Sequence, residues 1–131
     1  MRSRGSSCSA ASGSARRHTA PVLETSHYKL VWFVPAEALD ATRDAVFAAG
    51  AGHIGAYERC SWFAAGTGTF FASEDASPVI GEVGREERVA ELRVETVVPL
   101  DRASDVVRAL VDAHPYEEVA YDLYPLLDVE R

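Results

Sequence analysis

Lysine is nearly missing from this chain: Lys29 is the only one in 131 residues, and thirteen basic side chains face twenty acidic ones. Residues 1–26 hold four Arg and one Glu, whereas residues 27–131 hold nine basic and nineteen acidic side chains, a net −10. Clustered Lys and Arg carry affinity for polyanions, so this balance argues against nucleic acid as a partner. Cysteine is equally scarce. Cys8 and Cys60 cannot build a disulfide framework, which points to a reducing compartment, the cytoplasm. Long apolar runs are absent too, since the densest, Leu30–Val34, is five residues against the roughly eighteen a membrane helix needs. No apolar segment follows Arg16-Arg17, so a twin-arginine export signal is not read there.

The chain does have a 47% share of hydrophobic residues, enough for one folded domain. Residues 1–26, rich in Ser, Ala, Arg and Gly without periodicity, are expected to be a disordered tail, and 27–131 the domain. Tyr28–Val34 reads as a strand stopped by Pro35, and Ala36–Ala49 as an amphipathic helix ending at Gly50-Ala51-Gly52. The same phrase recurs 64 positions on, as Glu91–Val98, Pro99 and a helix over Leu100–Ala113. Tyr57 falls on Tyr121 at the same offset. Between the halves, Tyr57–Ala64 and Thr69–Ala72 flank Ala65-Gly66-Thr67-Gly68, which reads as a hairpin turn, and Ser73–Glu87 as a long polar connection.

Two βαβ halves joined in this way close into an α+β, ferredoxin-like sheet with both helices on one face. Alternation places Leu30, Trp32, Val34, Val94, Thr96 and Val98 under the helices, and Lys29, Val31, Phe33, Glu91, Arg93 and Glu95 on the open face. An exposed Val31/Phe33 patch there favours a homo-oligomer built through the sheet.

The segments Gly50–Tyr57 with Cys60-Ser61, Gly66-Thr67-Gly68-Thr69-Phe70, Gly81-Glu82-Val83-Gly84 and His114-Pro115-Tyr116-Glu117-Glu118…Tyr121-Asp122 form an ordered set. This set resembles the PII/CutA-like domain found inserted in the Nif-three-like dinuclear-metal-centre hexamer family and also found alone as a short protein. The resemblance covers Tyr28 to Leu126. It implies a PII/CutA-type ferredoxin-like fold assembled as a trimer through its sheet. It does not imply catalysis, because that family's metal ligands belong to the segments flanking the insert.

The densest chemistry lies at His114–Glu118. His114, Glu117 and Glu118 are candidate ligands of a divalent metal, with Asp122 nearby, and Tyr116 is a candidate ligand-binding residue. The plainer reading has His114-Pro115 ending the helix and Tyr116 packing. Glu82, between glycines in the long connection, is a second ligand-binding candidate against a solvated turn. Gly66 and Gly68 offer backbone N–H groups to a ligand, against simple turn chemistry. Cys60 reads as a small buried hydrophobe, His53 as peripheral, and Glu91, Arg93 and Glu95 as an ion-pair ladder. The expected function is an oligomeric ligand- or metal-responsive binding module. The alternatives are a metal-dependent hydrolase using His114, Glu117 and Glu82, and a structural assembly domain for a larger partner.

Overall fold

The computed structural model describes residues 23–129; residues 1–22, most of the expected tail, and residues 130–131 lie outside the described residues. Two strand–turn–helix–strand units follow one another. The first is β1 (Thr25–Val34), a 3₁₀ turn (Ala36–Ala38), α1 (Leu39–Ala48) and β2 (Ser61–Phe71). The second is β3 (Glu86–Pro99), a 3₁₀ turn (Leu100–Arg102), α2 (Ala103–Ala113) and β4 (Tyr121–Leu127). All pairings are antiparallel in the order β2-β3-β1-β4, which is the ferredoxin-like topology. β1 begins at Thr25, within the segment expected to be the tail. No described helix is long and apolar enough to cross a membrane.

Pro35 and Pro99 both adopt extended angles and stand just outside their helices. Each ends a ladder, having no N–H to donate, and a 3₁₀ turn precedes the α-helix instead of a helix running straight from the proline. Leu30, Trp32, Val34, Val94 and Val98 bury their side chains against Val46 and Phe47 of α1 and Val106 and Leu110 of α2. This is the face that alternation assigns to the helices. Trp32 is fully buried, and its Nε1–H donates to Thr42 Oγ1 at 3.1 Å, leaving no orphaned polar atom at the centre. The Thr42 hydroxyl in turn reaches the carbonyls of Ala38 and Leu39, both at 3.0 Å.

Three expectations are corrected. Gly66-Thr67-Gly68 is not a turn: β2 runs unbroken through it, pairing Gly66 with Glu91 and Gly68 with Val89. The actual β2–β3 connection is the long segment after Phe71, with Ala72 bridged to Val83. Tyr57 lies in a loop bridge with Ile54, whereas Tyr121 opens β4, so the halves lose their correspondence after the helices. Val31 is not exposed but fully buried on the open face. Long side chains roof it: Lys29 lies 3.9 Å from Glu95, and Arg93 bonds Glu95 at 3.0 Å while its guanidinium sits 5.7 Å from the Phe33 ring.

Candidate functional site

β1 pairs with β3 only as far as Val34 opposite Leu92, because Pro35 cannot continue the ladder, while β2 stays paired with β3 as far as Phe71 opposite Glu86. Past Phe33 the open face of the β2–β3 ribbon therefore lacks a neighbouring strand. The corner between α2 and β4 and the β2–β3 connection enclose that space. The result is a cleft of about 340 Å³ with Phe33, Phe70, Phe71, Ile80, Glu91 and Tyr116 among its walls.

His114 fixes the corner. Its Nε2 lies 2.7 Å from the Phe33 carbonyl oxygen and its Nδ1 lies 3.2 Å from the Tyr116 amide nitrogen. A carbonyl only accepts and an amide N–H only donates, so these partners select the neutral ring with its proton on Nε2. Burial pushes the imidazole pKa down, opposed by the bond to the Phe33 carbonyl. The ring also meets Tyr116 edge to face, with centroids 4.8 Å apart. Tyr116 is thereby held against the cleft, and its hydroxyl is buried with no hydrogen-bond partner among the described residues. Burial raises the phenol pKa, and the charges of Glu91 and Glu37 push the same way.

Glu91 stands opposite Gly66 and folds over Gly68, where an added Cβ would overlap its carboxylate. Gly68 thus makes room for this side chain, whereas a Cβ at Gly66 would meet nothing within 4 Å. Burial raises its carboxyl pKa. Arg93 turns to Glu95, so only half of the expected ladder forms, and among the described residues no cation pairs with Glu91.

Of the sequence candidates, the cleft gathers Tyr116, Gly68, Glu117 and Glu118, with Gly66 behind Glu91. His114 stands behind the wall with both ring nitrogens engaged. Glu117 accepts the Ser77 N–H at 3.1 Å, tying the corner to the connection. Glu82 lies outside the lining and pairs with Arg85 at 3.1 Å. Asp122 faces solvent opposite Val31, His53 is exposed, and Cys60 is half-buried beside the Glu58 carbonyl. Among the described residues, no three His, Cys, Asp or Glu side chains converge as a metal site. Sequence reasoning missed Glu91 and the phenylalanines as cleft residues. The register that sets Glu91 opposite Gly66, just beyond the point where Pro35 ends β1, is a product of strand pairing and had no local signal in the sequence.

No family model matches the chain. The Mycobacterium tuberculosis protein named GTP cyclohydrolase 1 type 2 homolog is 56% identical over 99 residues, which is 76% of this chain and 26% of that protein. The Halalkalibacterium halodurans protein of the same name is 50% identical over 107 residues, 82% of this chain and 29% of its own length. Among solved structures, a Bacillus cereus protein related to NIF3 matches with TM-score 0.66 and 47% identity, over 82% of this chain and 27% of that one. The periplasmic divalent cation tolerance protein CutA of Archaeoglobus fulgidus matches with TM-score 0.58 and 14% identity over 76% of this chain and 83% of its own, a likeness of fold alone. The ATP complex of Bacillus subtilis GlnK shares the fold likewise, with TM-score 0.52 and 10% identity over 77% of this chain and 83% of its own. The chain spans little more than a quarter of these curated relatives, and over that span it is a PII/CutA-like domain of the NIF3 family.

Proposed function

We propose that this domain is a small ligand-binding, regulatory module of the PII/CutA kind, with no catalysis of its own, and that the cleft beside Tyr116 is its binding site. The carrying observation is the largely apolar cleft of about 340 Å³ with Tyr116 in its wall, a side chain whose buried hydroxyl has no hydrogen-bond partner among the described residues. An unsatisfied buried hydroxyl costs about 1–3 kcal/mol, a deficit that a bound small molecule with one polar group removes. In this reading His114 acts as a positioning residue rather than a metal ligand. Gly68 supplies space, Gly66 lies outside the lining, and Tyr116, Glu117 and Glu118 border the ligand. A divalent ion at Glu117 and Glu118 would need further ligands from a second copy. Glu82, at the tip of the connection, would act only through that loop.

We also place the domain in the cytoplasm as a homo-oligomer, the trimer that the resemblance implies. The support is β2, an edge strand of eleven residues with no charge and no proline, on which Trp62 and Phe71 are 58% and 63% exposed. The other edge, β4, carries Asp122 and Pro125. An edge without such guards pairs readily with another copy.

Native mass spectrometry of the protein mixed with a small-molecule extract of its producing cells tests the binding site and the assembly together. The expected result is an oligomer carrying a small organic adduct that Gly68→Leu, which fills the cleft, loses while keeping its fold by circular dichroism. A wild type without any adduct, or an adduct retained by the filled cleft, overturns the reading.

A further inference from the structure

The charges around the cleft all have one sign. Glu91, Glu117 and Glu118 line it, and among the described residues no Lys, Arg or His does. Of the basic residues of β3 beside the lining, Arg88 pairs with Glu86 at 3.6 Å, and Arg93 is occupied by Glu95 at 3.0 Å and by the face of Phe33. Glu117 is partly satisfied by the Ser77 N–H, and both it and Glu118 are exposed to solvent, which leaves Glu91 as the one half-buried carboxylate among the described residues of the cleft. Beside it stands the Tyr116 hydroxyl, without a partner among the described residues. The remaining wall is largely aromatic or aliphatic, from Phe33, Phe70, Phe71 and Ile80.

We propose that the ligand is an organic cation, an ammonium or guanidinium group on an apolar stem, with the Glu91 carboxylate as counter-ion and the Tyr116 hydroxyl as accompanying acceptor. The inference rests on the binding-site reading above and names its ligand class. A partly buried carboxylate without a paired cation is held at some cost, and an entering cation compensates it in a way that no neutral or anionic ligand does. Aromatic walls favour the same charge through their negative ring faces and bury the stem. Phosphate-bearing ligands meet three carboxylates and no cation, so their binding is opposed. A hydrated divalent ion gains nothing from the aromatic wall and finds no three-ligand group among the described residues.

The test is calorimetric titration of the full chain with four probes: 2-phenylethylammonium, the neutral 2-phenylethanol, the anionic 3-phenylpropanoate, and magnesium chloride. The expected result is binding of the ammonium probe about tenfold or more tighter than the alcohol, with no heat from the anion, as follows from a charge-assisted contact worth about 1.5–3 kcal/mol. Glu91→Gln should bring the ammonium probe down to the affinity of the alcohol, and Tyr116→Phe should weaken it about fivefold. Equal binding of ammonium and alcohol, tighter binding of the anion, or undiminished ammonium binding by Glu91→Gln overturns the proposal. Binding of magnesium alone overturns it in favour of a metal. If the alcohol or the anion binds wild type but not Gly68→Leu, the cleft stands as a site and only its charge preference falls. If no probe binds and the cell extract leaves no adduct, both fall.

Discussion

Pro35 and Pro99 close their strands at φ −67, ψ 152 and φ −61, ψ 146, and the residues that lead into the helices, Ala38 and Arg102, share φ −109, yet the two helices leave the core by different routes. The first uses backbone alone. Gly50 N–H bonds the Phe47 carbonyl and Ala51 N–H that of Val46. Gly52 at φ +90 then ties the loop to β3 through its N–H and to Cys60 through its carbonyl, each at 2.8 Å. The second uses a side chain: His114 turns extended and bonds the Phe33 carbonyl with its ring. A backbone exit is indifferent to pH and seals the core. An imidazole exit titrates, holds Tyr116 at an angle and leaves a cleft beside it. The functional asymmetry of a symmetric fold therefore comes from the few residues after each helix.

The largest test of this contrast is in the core, where Trp32 and Thr96 occupy equivalent positions of β1 and β3. Trp32→Ala should cost about 3–5 kcal/mol in urea unfolding, through the cavity left under both helices. Thr96→Ala should cost about 1 kcal/mol, the loss of its hydroxyl bond to the Cys60 carbonyl. Comparable losses would mean that the halves bury equivalent amounts and that the asymmetry is not in the core.

Glycines sharpen the comparison next. Gly52→Ala should cost about 1–3 kcal/mol, because φ +90 is strained for alanine and the new Cβ would lie 2.7 Å from the Phe47 ring. Gly66→Ala, in extended strand with nothing within 4 Å of the added carbon, should change stability by less than about 1 kcal/mol. A large loss at Gly66 would mean that the strand through Gly66-Thr67-Gly68 is not as described.

Much of this architecture is legible in the chain itself. The period-two alternation of Leu30, Trp32 and Val34 and the repeated proline identify strands, faces and the two halves, since burial of one face demands that register. The turn at Gly66-Thr67-Gly68 is misread because glycine clusters serve two ends, reversing a chain and clearing space, and local sequence does not distinguish them. Here Gly68 gives clearance to Glu91, 23 residues further along the chain and brought beside it only through strand pairing. Val31 is misread for a related reason: Lys29, Arg93 and Glu95 are polar at their tips but cover apolar surface with their stems. Of the site, the corner His114–Glu118 is visible as a cluster, whereas the cleft depends on where β1 stops relative to β3, a tertiary fact.

His114 carries the third effect. Its folded pKa is below the ordinary 6.5, so the unfolded chain binds the proton more tightly. Stability is then full above pH 6.5 and falls as pH drops from there toward the folded value, since a second ring proton would oppose the Tyr116 N–H. Chemical unfolding between pH 8 and 5 should show this decline. His114→Ala should lose about 1–2 kcal/mol at pH 8 and flatten the slope contributed by this residue. An unchanged slope would move the acid sensitivity elsewhere and leave the corner held by something other than the imidazole.

The smallest effect has the opposite sign and links stability to the cleft. The Glu91 carboxyl is raised above its ordinary 4.5, so the folded state holds this proton more tightly than the unfolded chain does. Its contribution is fully favourable below pH 4.5 and is lost as pH rises through the folded value, leaving an ionised group at pH 7 with burial against it and no paired cation among the described residues. Glu91→Gln removes that cost and should raise the urea midpoint at pH 7 by an amount worth no more than about 0.5 kcal/mol, while it abolishes the preference for an ammonium ligand. Gaining stability while losing recognition is the signature of a residue kept for binding, because an acid retained for the fold alone has no reason to weaken it. A variant less stable than wild type at pH 7 would instead make Glu91 a structural partner of the strand, and the cleft would owe its shape to the carboxylate rather than hold it ready for a ligand.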